Sequence, residues 1–206
     1  MKDRSLAELL ETLSGPTATP GGGSAAAIAG AVAAALTRMV AGLALGKRGY
    51  EDAQEDLRRA TERAAELESR LLALADEDST AYEAVVVAMR RPRSTDAERV
   101  ARVEAIQAAT RVAAEVPLRT VEACVEVLGL SADVAEKGNR SATTDAGVAA
   151  ILAEAAARGA ALNVRVNLQA LTDEEFRDTS EERVRGLLAE AERQSKAALE
   201  IVGKRL

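Results

Sequence analysis

The sequence predicts an all-α fold: a single-domain bundle of long antiparallel helices around two apolar, alanine-rich central helices. Three observations carry this. Apolar residues recur at three- and four-residue spacing through most of the 206-residue chain. No segment alternates with period two over the length of a strand. Val85-Val86-Val87 and Val164-Arg165-Val166 are locally β-like, but both are embedded in helical patterns. No repeat, low-complexity tail or linker divides the chain, so residues 1–206 read as one domain with one sizeable core.

The elements follow in order. Leu6, Leu9, Leu10 and Leu13 place a short amphipathic helix at 4–13, ended by Ser14-Gly15-Pro16. Residues 24–46 read as a nearly all-apolar helix whose small side chains permit close packing, with Gly30 and Gly42 as expected crossing points. A long helix is expected over 51–89, with a bend near Asp76-Glu77-Asp78-Ser79 and a stop at Pro92. Thr95 and Glu98 form a capping box for a helix over 96–115 that meets Pro117. Separate short helices are expected at 118–128, ended by Gly129, and from Ser131 to Lys137. The second apolar helix reads as 143–168. Thr172 to Glu175 is a second possible capping box, and the last helix reads as 181–202.

Composition excludes several chemistries. The formal net charge is -6, which argues against a nucleic-acid partner, whose affinity would rest on neutralising phosphates. There is no histidine, so no Ser-His or Cys-His dyad exists, and Cys124 is the single cysteine, so no cysteine-based metal site is expected. Proton chemistry must come from Asp, Glu, Lys or Tyr. The charged N-terminus does not resemble a signal peptide, and the apolar run from Ala25 to Leu36 is too short to span a bilayer. A cytoplasmic protein with no membrane partner is expected.

Thr19-Pro20-Gly21-Gly22-Gly23-Ser24 runs directly into the first apolar helix. Glycines let a ligand approach the main chain, and a helix start offers free N–H groups and a positive dipole end. The segment reads either as a ligand cradle or as a flexible turn. No lysine follows it as in a Walker loop, and no strand precedes it as in a dinucleotide fingerprint. Asp78 and Tyr82, four apart, share one helix face, as a carboxylate in a cleft beside a hydroxyl or as a solvated turn. Asp145 begins the second apolar helix, where it favours the dipole or adds a second site carboxylate. Asn139 lies in a Gly-Asn turn. Asn163 and Asn167 sit four apart in an apolar helix, suited to a heterocycle edge or to a neighbouring backbone. Arg38, Lys47 and Arg48 read as surface charges or as receivers of a carboxylate tail.

Taken in order, these motifs resemble one family. Pro20-Gly21-Gly22-Gly23-Ser24, Asp76-Glu77-Asp78-Ser79-Thr80-Ala81-Tyr82, Val116-Pro117-Leu118, Gly138-Asn139 with Asp145, and Asn163-Val164-Arg165-Val166-Asn167 are similar to the cyclodeaminase/cyclohydrolase family. The resemblance covers nearly the whole chain. It implies an all-helical homodimer that takes tetrahydrofolate as the substrate carrier and needs no other cofactor. It implies that Asp78 is the catalytic acid/base. It implies that Pro20 to Ser24, Asn139, Asp145, Asn163 and Asn167 line the folate pocket.

Two reactions fit: hydrolysis of 5,10-methenyltetrahydrofolate to 10-formyltetrahydrofolate, and cyclodeamination of 5-formiminotetrahydrofolate. The first is favoured for a chain without a formiminotransferase domain. In both, Asp78 would take a proton and stabilise an amidinium-like cation, with Tyr82 holding or shaping it. Arg38, Lys47 or Arg48 would receive the folate's glutamate tail. The competing class is a helical assembly or adaptor module, in which the same residues play structural roles; a folate binder without catalysis is the third.

Overall fold

A computed structural model describes residues 5–206. Among them are six α-helices and no strand: α1 (Leu6–Ser14), α2 (Gly22–Gly42), α3 (Gln54–Met89), α4 (Asp96–Lys137), α5 (Thr143–Gln169) and α6 (Glu174–Arg205). Arg4, the expected first residue of α1, lies outside the described residues. α1 is closed by a capping box between Ser5 and Glu8.

α2 to α6 run up and down. Ser24 at the start of α2 meets Asp78 late in α3, while Val40 and Ala41 at its end pack with Leu57 and Ala60 early in α3. Arg119 and Glu77 pair across α3 and α4, and Asn167 late in α5 reaches Ala113 early in α4. α2 and α5 are therefore antiparallel neighbours at the centre, as the two apolar runs predict. Both are long and apolar enough to cross a membrane by length and composition. Here their small residues Ala27, Ala34, Ala153 and Ala160 are fully buried against Leu67, Leu71 and Leu128. A second, smaller cluster of Val40, Leu57, Val134 and Val202 fills the other end.

Three boundaries differ from the sequence reading. α2 starts at Gly22, so Gly21 is its N-cap and the glycines form its first turn rather than a loop. α4 is one helix of 42 residues: Pro117, Gly129 and Ser131 all lie inside it. Proline has no N–H to give the Ala113 carbonyl one turn back. The Asn167 amide on α5 donates to that carbonyl at 2.7 Å instead. Ser131 caps nothing; it is buried, donates to Val127 O at 2.8 Å and meets the Thr37 hydroxyl at 2.8 Å. α6 starts at Glu174 with Asp173 as N-cap, whose carboxylate accepts from Phe176 N at 3.0 Å. Thr172 is occupied with Gln107. The Thr95 capping box stands as expected. α3 is helical throughout 54–89, including the acidic stretch at Asp76.

Gly30 marks a tight crossing: a Cβ there would lie 2.8 Å from Cys124 Sγ and 3.2 Å from Leu71 Cδ2. Gly42 does not, since a Cβ there meets nothing within 4 Å.

Candidate functional site

The N-terminus of α2 is short of a cap. Gly21 has no side chain to accept the N–H groups of the first turn, which have no helical acceptor of their own. Asp78, arriving on α3, fills that role. Its Oδ2 lies 2.9 Å from Ser24 Oγ and its carboxylate also accepts from the Ser24 backbone N–H. Ser24 is fully buried, and its hydroxyl also lies 3.0 Å from Ala75 O and 3.2 Å from Ser79 Oγ. The residue that holds Asp78 is thus Ser24. Tyr82 does not bond it; Tyr82 is half exposed.

Gly23 makes this approach possible. A Cβ at Gly23 would fall 2.7 Å from Asp78 Cγ and 2.8 Å from Oδ2. The glycine is there for room, since none of the three glycines has a positive φ. Burial is the larger influence on Asp78 and pushes its carboxyl above the usual carboxylate range; the two bonds from Ser24 oppose it.

Asp78 opens into a cavity of about 280 Å³ lined by Thr19, Gly21, Gly22, Gly23, Tyr82, Ala113, Asn163, Val166 and Asn167. Asn163 Nδ2 donates to Gly159 O at 3.0 Å, and Asn167 Nδ2 donates to Ala113 O and to Asn163 O. Of the two open readings of the pair, these bonds are the backbone one: the NH2 groups hold carbonyls of α5 itself and of α4, and each Oδ1 is left to accept. With Asp78, the polar side chains offer acceptors around a partly apolar slot. Such a wall suits a cationic or N–H-rich planar group.

The other expected residues lie elsewhere in the chain. Pro20 precedes the lining glycines and does not itself line the cavity. Asn139 is buried at the opposite end of α2, where its Nδ2 donates to Leu43 O at 2.8 Å and its Oδ1 accepts from Ser141 N. That end is roughly 30 Å from Gly22 along a helix of this length. Asp145 sits there too, in the first turn of α5. Arg38 pairs with Glu68 on α3 at 3.4 Å. Lys47 and Arg48 follow α2, and Arg48 lines a second, mixed-charge cavity of about 550 Å³ with Tyr50, Lys137 and Arg140. A single chain does not bring these five residues to Asp78.

Four lining residues were missed by sequence reading: Ala18 and Thr19, which directly precede the expected Pro20 to Ser24 segment, and Ala113 and Val166. Val166 is one turn from Asn163, so helical spacing alone places it on the Asn face. Ala113 is signalled by Pro117, four residues on, which strips its carbonyl of the usual donor. Cys124 is buried and its thiol is pushed up to about 12, which fits a packing role. Among the described residues, no group of three or more Asp, Glu or Cys is placed to hold a metal.

Residues 5–186 match the family model described as formiminotransferase-cyclodeaminase. A methenyltetrahydrofolate cyclohydrolase of Methylorubrum extorquens is 43% identical over 88% of this chain and 88% of its own. The formimidoyltransferase-cyclodeaminase of Gallus gallus is 35% identical over 97% of this chain, which spans 37% of that longer protein. A solved structure of formiminotetrahydrofolate cyclodeaminase from Thermotoga maritima superposes with a TM-score of 0.89 at 30% identity, covering 98% of each chain.

Proposed function

The chain belongs to the formiminotransferase-cyclodeaminase family, and from that premise we propose that it is a methenyltetrahydrofolate cyclohydrolase. It is an enzyme of folate metabolism, and the assembly-module reading is set aside. The observation that carries the choice of reaction is the 43% identity to a cyclohydrolase over nearly the full length of both chains. The cyclodeaminase reading is favoured by the close superposition on a formiminotetrahydrofolate cyclodeaminase.

The proposed site is the Asp78 cavity. The methenyl bridge of the substrate is cationic, and the Asp78 carboxylate neutralises it in a place partly shielded from water. Water adds to the bridging carbon and gives one proton to Asp78. The carbon is then tetrahedral between N5 and N10. Its bond to N5 breaks, Asp78 returns the proton to N5, and the remaining hydroxyl proton leaves to solvent as the formyl C=O forms on N10. A carboxyl pushed above its ordinary range returns that proton at higher pH than an exposed aspartate would. Ser24 keeps the carboxylate aimed, and the Asn163 and Asn167 oxygens face the N–H groups of the pterin. Tyr82 and Val166 are walls.

We further read the enzyme as cytoplasmic, with no cofactor besides its folate substrate. We also read it as a homodimer, supported by apolar side chains that α2 and α5 leave exposed.

The test is to supply both folates side by side. Loss of the methenyltetrahydrofolate absorbance well above the buffer rate, with no methenyl product from 5-formiminotetrahydrofolate, is the expected result. Formation of methenyl product from the formimino substrate, without hydrolysis of the methenyl form, would replace the first reading by the second.

A further inference from the structure

The Asp78 cavity lacks something its proposed substrate needs. Folates carry an anionic glutamate tail, yet no Lys or Arg lines this cavity among the described residues. The cations around its base are committed: Arg111 to Asp173, Arg119 to Glu77 and Arg165 to Glu181. Arg177 faces a separate cavity that it shares with Asp178 and Glu181. Lys47 and Arg48 follow the far end of α2.

The bundle does not stop at the cavity. α2 begins there and α5 ends there, but α3 and α4 run on as a hairpin. Met89 is eleven residues past Asp78, about 16 Å, and Asp96 is seventeen residues before Ala113, about 25 Å. Gln107 is tied to Ala170 and Thr172 just past the end of α5. Beyond it, Arg102 holds α4 to α3 by donating twice to Met89 O, at 3.0 and 2.9 Å. Eleven residues are about three helical turns, so Met89 stands over Asp78 and Tyr82 on α3, and Arg102 over Ala113 on α4. The side of the hairpin above the cavity thus rises through Tyr82, Met89 and Arg102 to the tip.

That tip is strongly basic in a chain of net charge -6. Residues 90–102 hold Arg90, Arg91, Arg93, Arg99 and Arg102 against Asp96 and Glu98, and all but Glu98 and Arg102 are exposed. Both acids are occupied: Asp96 pairs with Arg99, and Glu98 accepts from the Ser94 and Thr95 N–H groups. Arg90, Arg91 and Arg93 are in no ion pair among the described residues, and Arg102 has a carbonyl partner rather than a carboxylate. A basic loop alone needs no ligand; this one stands in line with the cavity and within reach of the substrate.

We propose that the hairpin tip takes the γ-linked polyglutamate tail of the folate, with Arg90, Arg91, Arg93 and Arg102 pairing with its carboxylates. With the pterin on the Asn163–Asn167 wall and the methenyl bridge at Asp78, the aminobenzoyl group leaves on the opposite side, past Tyr82. The first glutamate's carboxylates then lie roughly 10 Å from the bridge, and each further γ-linked residue carries its free α-carboxylate up to about 6 Å on. The second and third residues of the tail therefore reach the arginines, about 16 Å from Asp78 along α3. Tyr82 and Met89, 46% and 51% exposed, give the benzoyl ring and the methylenes of the tail an apolar track. The identity of the anion rests on the folate reading; the alignment of the arginines with the cavity does not.

Tail length is the test. Parent protein should show a KM for pentaglutamyl methenyltetrahydrofolate about tenfold or more below that for the monoglutamate, with the difference shrinking as ionic strength rises. Arg90→Gln/Arg91→Gln/Arg93→Gln, folded by circular dichroism, should bring that ratio to within about twofold of one, through KM rather than kcat. Arg90→Lys/Arg91→Lys/Arg93→Lys should restore most of the ratio, since spaced carboxylates need cations rather than a fixed fork. Arg185→Gln, at an exposed position on α6, should leave the ratio as it is. A parent ratio near one, or a Gln variant that keeps the parent ratio, overturns the proposal.

A ligand without the pterin separates the tip from the folate chemistry. A γ-linked pentaglutamate peptide, titrated by calorimetry at low salt, should bind the parent and the Asp78→Asn chain alike, and the Gln variant at least about fivefold more weakly. Parent protein that turns over neither folate while binding the peptide at the tip refutes the folate reaction and upholds the tip as a polyglutamate receptor. A peptide that the parent does not bind, or binds no better than the Gln variant does, overturns the proposal. So does a tip that binds single-stranded RNA more tightly than the peptide at the same salt.

Discussion

At position 23 a single methyl group separates a working arrangement from a blocked one. A Cβ there would overlap the Asp78 carboxylate, and Asp78 cannot retreat without leaving Ser24. Gly23→Ala is therefore expected to lower turnover by about 100-fold, with the helical circular dichroism retained, because the change misplaces the proton carrier and leaves the core alone. Asp78 makes a second, thermodynamic prediction. Burial raises its carboxyl pKa above the unfolded value, so between the two values the folded chain binds more protons. Stability contributed by this group is present at low pH and is lost as pH rises through that window. Asp78→Asn keeps an acceptor for the α2 N-terminus and removes the buried charge. At fixed protein concentration it should melt at or above the parent temperature near pH 7, with the gap closing toward about pH 4. Parent protein that is the more stable of the two at neutral pH would show that capping outweighs burial.

At the scale of elements, the two long apolar helices were legible because their composition leaves them no place but the centre. The capping box at Thr95 was legible because its spacing is local. What escaped was continuity. Pro117, Gly129 and Ser131 each carry a local signal to stop, and α4 passes through all three. The reason is tertiary: Asn167 satisfies the carbonyl that Pro117 abandons, and Ser131 is buried with Thr37. This predicts coupling. Asn167→Ala should cost about 1–3 kcal/mol by orphaning the Ala113 carbonyl. Pro117→Ala returns an N–H to that carbonyl, so adding it to Asn167→Ala should cost less than the sum of the single changes. Urea midpoints of the four proteins in that cycle measure the difference, and strict additivity would remove the compensating role given to Asn167.

At the scale of the molecule, the candidate site divides by distance. Gly21 to Ser24, Asp78, Tyr82, Asn163 and Asn167 were legible as chemistry in sequence, and the antiparallel fold gathers them at one end of the bundle. Asn139, Asp145, Lys47 and Arg48 lie at the other end, and Arg38 partway along α2, because a helix of α2's length is a rigid spacer. No local signal in the sequence encodes that separation; it depends on which helices run in opposite directions. Nor could spacing alone show that Ser24, rather than Tyr82, holds the carboxylate, since the contact joins residues 54 positions apart.

The central claim is that the Asp78 carboxylate carries the proton in a folate reaction. The most direct measurement is the initial rate of methenyltetrahydrofolate absorbance loss with parent protein and with Asp78→Asn, both verified as folded and of equal oligomeric state. The account predicts a rate for Asp78→Asn lower by at least about 100-fold, in keeping with the loss of a general acid–base group. A variant that hydrolyses the substrate at close to the parent rate would contradict it.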